Sequence, residues 1–333
     1  MNRPVQSGLR LVGDVGGTNV RFALADTSGP APRISEADSY RCADFPGLEQ
    51  AIEHYLAHVD ARGARPRSAV VAVAGPVNNG VAELTNGHWR MSNAGLHAAG
   101  FSAARLINDY TALALAVRRL GAEDLGAIGE ANGTAEGKTI ALVGAGTGLG
   151  VAAAVRADGE EVIATAEGGH IAFAPVDETE IEILRVLTGV FGRVSLERIL
   201  SGPGLVSLRW ALGRIDGKEV EPVAPEDVVA RAMAGSDPLC AQTLDRFCAI
   251  YGSAAGDMAL VYGALGGVYL GGGIAPRILP WLRKSEFRTR FEAKGRFAGY
   301  LAPVPTKVIM HPYAALLGAA DAVLAQKSTV LAT

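Results

Sequence analysis

LVGDVGGTNVRFAL, residues 11–24, is the stretch on which the fold turns. Leu11, Val12 and Val15 on one side and Val20, Phe22, Ala23 and Leu24 on the other have the apolar character of buried strands. Asp14 interrupts the first run, and Gly16, Gly17, Thr18 and Asn19 separate it from the second. Ordinary core packing has no use for an aspartate followed by a bare turn. A plain hairpin is one reading of the glycines. The other is that backbone without Cβ atoms lets successive N–H groups approach an anion and form a nest for phosphate. Asp14 would repel phosphate, so its place would be as a ligand, direct or through water, of a divalent cation that the phosphates carry.

The unit recurs. LVGDVGGTNV (11–20) laid over LVGAGTGLGV (142–151) without gaps matches Leu, Val, Gly, a central Gly and the final Val. Each copy runs strand, glycine turn, strand: VRFALAD leaves the first turn and VAAAVRAD the second. Asp158-Gly159 then signals a two-residue hairpin into EEVIATA. After the first copy follow a helical segment (FPGLEQAIEHYLAHV), two strands (SAVVAVAGP and AARLIND) and a helix (YTALALAVRRL). After the second come ETEIEILRVLTGVF, PEDVVARAMA and LCAQTLDRFCAIYGSAAGDMALVY as helices, then the strand GGVYLGGG and a last helix, PYAALLGAADAVLAQ. Alternation of this kind predicts an α/β fold in which hairpins are added to parallel sheets. The duplication predicts two related domains facing each other across a cleft. The turn-rich, acidic stretch between Leu120 and Gly137 predicts the boundary.

Two turns at matching places change the balance between hairpin and phosphate loop. In that superposition Thr147 and Gly148 stand over Gly16 and Gly17, Gly146 precedes them, and each turn adds a threonine hydroxyl, Thr18 in the first and Thr147 in the second. A pair of such loops would clamp a nucleotide. Other phosphate motifs fit less well: no G-x-x-x-x-G-K-[ST] string is present. Gly148–Ala153 reads G-x-G-x-x-A, but it opens a strand where a dinucleotide site needs a helix. A third cluster, GGGIAPR (271–277), is bare at Gly272 and Gly273, which suits a flat ring lying against it or a simple strand-to-helix loop.

Length and composition are in keeping. At 333 residues the chain exceeds one small core, and 49% hydrophobic with 20% charged residues is the balance of a soluble globular protein. A net charge of −3 without a basic stripe argues against nucleic acid as partner. The start, MNRPVQSGLR, has no apolar run of signal-peptide length, so the expected location is cytoplasmic. The uncharged runs 139–155 and 258–276 are too dense in glycine for membrane spans. Cys42, Cys240 and Cys248 suggest no disulfide framework, and the last two read as buried thiols in a helix.

Candidate catalytic groups lie outside the glycine turns. Asn108-Asp109 end a strand and open a helix. One of them should cap that helix, and the second then sits where α/β sheets present their chemistry. A carboxylate there can take the proton of a substrate hydroxyl attacking phosphorus. AEGGHIAFAP (166–175) sets Glu167 and His170 around a tight glycine pair, an acceptor and a donor suited to vicinal sugar hydroxyls. A solvated loop is the alternative. Glu197, in RVSLERILSGPG, is expected in the first turn of a helix capped by Ser195, a structural place by its residues alone.

These segments together resemble the bacterial glucokinases of the hexokinase, actin and heat-shock ATPase superfamily. GDVGGTN is similar to that superfamily's first phosphate motif, GAGTGLG to its second and GGGIAPR to its adenosine motif. INDYTALALAV, EGGHIAFAP and SLERILSGPGL resemble glucokinase sugar-site segments, and the likeness runs from about Leu11 to Gly318. The resemblance implies two actin-like (ribonuclease H-like) domains: a small one over 1–119 plus 313–333 and a large one over 120–312, the latter carrying the second phosphate loop, the adenosine loop and most sugar contacts. It implies ATP and Mg²⁺, Asp109 as the base for the sugar 6-hydroxyl, and Asn108, Glu167, His170 and Glu197 on the remaining hydroxyls. Gly16, Gly17, Thr18 and Asn19 would face the phosphates from one domain and Gly146, Thr147 and Gly148 from the other, with Asp14 serving Mg²⁺. Closure driven by sugar and a homodimer are also implied. EGGH is followed by IAFAPVDETE without a cysteine, which implies the zinc-free branch. Two rivals share the fold: an actin-like switch ATPase, and a sugar-sensing regulator. The regulator would need a DNA-binding module, for which the ten residues before the first strand leave no room.

Overall fold

The computed structural model describes residues 8–60, 65–84, 89–131 and 133–324. The chain divides into two compact units, one made of residues up to Leu120 together with those from Pro312 onward, the other of Gly121–His311.

The first unit opens with β1 (Leu9–Val15), β2 (Asn19–Asp26) and β3 (Arg33–Arg41), then α1 (Leu48–Asp60) and β4 (Ser68–Val73). A small hairpin of β5 (Val81–Glu83) and β6 (Arg90–Ser92) leads through α2 (Asn93–Ala98) into β7 (Ala103–Asn108) and α3 (Asp109–Val117). The main sheet has the order β3-β2-β1-β4-β7. β1, β2 and β3 form an antiparallel meander, whereas β1, β4 and β7 run parallel. Alternate residues therefore serve two cores. Leu11, Val15, Phe22 and Val71 pack on one face with Ile52 and Tyr55 of α1, while Val12, Ala23, Val70 and Ala72 pack on the other with Ala112 of α3.

The second unit repeats this plan. It contains β8 (Leu125–Ile128), β9 (Ile140–Ala145), β10 (Leu149–Ala157), β11 (Glu160–Ala166), α4 (Glu178–Phe191), α5 (Gly202–Ile215), α6 (Pro225–Met233) and α7 (Pro238–Tyr262). There follow β12 (Val268–Gly271), α8 (Ile274–Arg277), α9 (Leu279–Leu282), α10 (Phe287–Glu292), α11 (Ala298–Leu301) and β13 (Thr306–Ile309). The sheet order is β11-β10-β9-β12-β13-β8, again an antiparallel meander joined to parallel strands. Asp158 and Gly159 join β10 to β11 with φ of 51° and 82°, the backbone their sequence predicts for a two-residue turn. The long helix α7 lies under the sheet, where the buried Tyr251 hydroxyl donates to the Val143 carbonyl of β9 at 2.9 Å. A Cβ at Gly252 would lie 2.1 Å from the Phe287 carbonyl oxygen, so glycine there is what lets α10 approach.

The chain then returns to the first unit with α12 (Ala314–Asp321), whose Leu316 and Ala319 complete the core that holds Val12 and Ala112. Arg10 of β1 donates to the last carbonyls of this helix, Ala320 at 2.6 Å and Ala322 at 2.9 Å.

Three expectations change. The acidic stretch after Leu120 is not only connection, because it contains β8, which pairs antiparallel with β13 and closes the edge of the second sheet. The final helix ends at Asp321, short of the predicted span, whose last residues Ala325 and Gln326 lie outside the described ones. Ser195 makes no side-chain cap: Leu196–Arg198 is a single 3₁₀ turn, and the α-helix starts six residues later, capped by the Ser201 hydroxyl with Pro203 in its first turn.

Candidate active site

In the first unit the parallel register aligns Val15 with Val73 and Val73 with Asn108, so three loops leave the same end of the sheet. With strands about 4.8 Å apart, the ends of β1 and β7 are separated by roughly 10 Å. The turn after β1 closes through Gly16 N–H to the Asn19 carbonyl at 2.9 Å. Neither φ nor packing demands glycine at its tip: Gly16 is not in the left-handed region, and a Cβ there would meet only ordinary contact at 3.5 Å. The bare backbone faces open room, and Thr18 and Asn19 are exposed beside it. Cys42 supports the turn from below, its N–H donating to the Thr18 carbonyl at 2.8 Å and its sulfur 3.5 Å from the Gly16 carbonyl oxygen. Burial pushes the Cys42 thiol up, keeping it protonated as that donor.

Asp14 faces Arg21 across β1 and β2, at 3.7 Å, too long for a hydrogen bond. Burial raises its carboxyl above the usual range, and the Arg21 guanidinium opposes that shift. A carboxylate so placed, partly open and loosely paired, fits a hard cation arriving with phosphate. Among the described residues no three His, Cys, Asp or Glu side chains converge on a metal cage.

Asn108 is the cap that its type predicts. Its Oδ1 accepts from Tyr110 N at 2.9 Å and Thr111 N at 3.2 Å, while Nδ2 donates to the Gly75 carbonyl at 2.9 Å. Among the described residues the second N–H of the amide has no acceptor, so it can serve a ligand. Asp109 follows as the first helical residue, half-buried. Gly75, in the left-handed region at φ 119°, is a member of this site that sequence reading passed over. Its signal was the Gly-Pro pair at the end of an apolar strand.

The second unit gathers its candidates around the end of β9. The turn Gly146-Thr147-Gly148 is closed by Gly146 N–H to the Gly148 carbonyl at 2.8 Å. A Cβ at Gly146 would come no nearer than 3.9 Å to anything outside its own chain neighbours, the nearest atom being Gly273 N. Gly272, at φ 78°, packs its backbone on Ala145, where a Cβ would lie 2.3 Å from the carbonyl oxygen. The third glycine cluster therefore lies directly beside the second turn. Gly169 is equally constrained, since a Cβ would stand 2.1 Å from the Leu149 carbonyl oxygen. That contact brings the EGGH turn against the start of β10. Glu167 and His170, on either side of the glycine pair, are exposed and carry no side-chain hydrogen bond among the described residues. Glu197 reaches the same place from a distant segment: its Oε2 accepts from Leu149 N at 2.9 Å, and Oε1 has no such partner among the described residues.

Each unit thus offers a bare-backbone turn, the first accompanied by Asp14, Asn108 and Asp109, the second by Glu167, His170, Glu197, Gly272 and Gly273. The sequence profile of the Glucokinase family matches residues 11–327. A glucokinase from Caulobacter sp. (strain K31) is 53% identical over 316 residues, covering 95% of each chain. One from Chromobacterium violaceum is 46% identical over 93% of this chain and 88% of its own. Among solved structures, a glucokinase from an Antarctic psychrotroph superposes with a TM-score of 0.83 at 37% identity, covering 94% of this chain and 98% of the other. A ROK-family glucokinase from Streptomyces griseus, at 20% identity and a TM-score of 0.65 over 94% and 98%, shares the fold. The α/β architecture is that of the actin-like sugar kinases, and the chain belongs to the glucokinase family.

Proposed function

We propose that the chain transfers the γ-phosphoryl group of ATP to the 6-hydroxyl of D-glucose. The observation that carries this reading is the pair of turns whose glycines, Gly16 and Gly146, are required by neither φ nor packing and leave bare backbone. Gly16, Gly17, Thr18 and Asn19 hold phosphate on one side, and Gly146, Thr147 and Gly148 on the other. Asp14 holds the Mg²⁺ that accompanies ATP, whose chemistry is to neutralise charge on the phosphates. Gly272 and Gly273 lie against the adenosine.

Asn108, Glu167, His170 and Glu197 hold sugar hydroxyls, and Asp109 accepts the proton of the 6-hydroxyl as its oxygen attacks the γ-phosphorus. The bond from phosphorus to the ADP oxygen breaks as the new one forms. Positioning and charge stabilisation supply most of the acceleration. Water competes for the same phosphorus, so turnover depends on sugar-driven closure. Scattering curves that are identical with and without glucose would remove closure from the scheme. The absence of cysteine in IAFAPVDETE supports a zinc-free site, and the resemblance supports a cytoplasmic homodimer. Light scattering of the eluted protein tests the latter.

The decisive assay is ATP-dependent formation of hexose 6-phosphate over glucose, mannose, fructose, N-acetylglucosamine and no sugar, with Mg²⁺. Product with glucose and low background without sugar is the expected result. ATP hydrolysis indifferent to sugar would replace the kinase by a switch ATPase on the same fold.

A further inference from the structure

We propose that Glu197 couples the sugar site to the second phosphate turn, so that each ligand's affinity depends on a residue of the other's site. The inference rests on the reading of Glu197 as a sugar ligand and extends it. The segment 196–202 is tied to the turn at both ends. Leu149 N–H donates to Glu197 Oε2 at 2.9 Å just after the turn, and Gly202 N–H donates to the Gly146 carbonyl at 2.8 Å at its start. The segment is itself stiffened, since the Ser201 hydroxyl donates to the Glu197 carbonyl at 2.7 Å while accepting from Gly204 N at 3.0 Å.

Contact between carboxylate and turn is close enough to be mutual. A Cβ at Gly148 would stand 2.5 Å from Glu197 Oε2, and Gly148 is not in the left-handed region, so a methyl there displaces the carboxylate without straining the backbone. A hydroxyl bound at Oε1 fixes the carboxylate, and the fixed carboxylate orients the Leu149 N–H and the backbone leading out of the turn. Binding linkage then requires the reverse effect of equal size.

Calorimetric titrations of the full chain read each variant with the ligand of the other site. Glucose is titrated into wild type and Gly148→Ala, and Mg·ADP without sugar into wild type, Glu197→Ala and Glu197→Gln. Gly148→Ala should weaken glucose, and Glu197→Ala should weaken ADP, each by roughly fivefold or more. Glu197→Gln keeps an amide oxygen for Leu149 N–H and should hold ADP within about twofold of wild type. Unchanged glucose affinity in Gly148→Ala, or unchanged ADP affinity in Glu197→Ala, overturns the coupling. If Gly148→Ala does not fold, the two Glu197 variants decide. Wild type that binds ADP but not glucose overturns the functional reading as well. Wild type that binds both, with indifferent variants, overturns the coupling alone.

Discussion

Asp109 stands at the first helical position of α3, where its backbone is held by the cap that Asn108 provides. Replacing it with alanine should leave the fold and nucleotide binding in place and lower turnover by on the order of 10²-fold or more, the usual effect of removing a general base. A steady-state assay with saturating glucose and ATP reads this, and near-normal turnover would end its assignment as base. Asp237 shows a carboxylate used for stability. Burial pushes its pKa up, but donors from Cys240 and from the Arg209 guanidinium outweigh burial and hold it at about 2. It also caps α7 through Leu239 N and Cys240 N. Because the folded value lies below the unfolded one, its contribution is present in full above about pH 4 and lost as pH falls towards 2, amounting to about 2 kcal/mol. Melting curves of wild type and Asp237→Asn should therefore differ most at pH 5 and converge near pH 2; a gap independent of pH would contradict the ionic origin. At this scale the sequence was legible where bonds are local. The Asn108 cap joins residues two and three apart, and residue type predicts it. The bond from Leu149 to Glu197 joins residues 48 apart, and nothing near either residue announces it.

Helices and strands were legible where period or turn chemistry is strong. The hairpin at Asp158-Gly159, the meander of the second unit and the spans of α4, α6 and α7 follow from pattern, whereas β3 of the first unit, polar along most of its length, was not read. β8 was hidden because four residues among turn formers carry little periodicity, and their pairing with β13 is made from outside. Likewise α5 was obscured by the glycines and proline at its start, which suit the first turn of a helix but read as loop. α3 and α12 meet so closely that a Cβ at Gly318 would fall 1.7 Å from the Ala112 carbonyl oxygen. Gly318→Ala must force these helices apart, at a cost of roughly 3 kcal/mol. A urea midpoint lowered at constant m-value is the expected readout. An unchanged midpoint would mean that the helices separate freely.

The two-unit plan could be read from the duplicated glycine turn, and so could the location of most candidates near those turns. Which residues finish each core could not, because burial is decided by contacts that span the chain. Val12, Ala23, Val70 and Ala72 share a core with Leu316 and Ala319 of α12. A chain ending at His311 would expose that face of the first sheet while leaving the core of Gly121–His311 intact. Such a chain should aggregate, with hydrogen exchange accelerated in β1 and β4 but not in α7. The tie from Arg10 to Ala320 crosses 310 residues. During synthesis, at about 5–20 residues per second, the strand carrying the first turn would wait on the order of half a minute for its covering helix. The second unit lies wholly between the two, so the middle of the protein can be finished before its beginning.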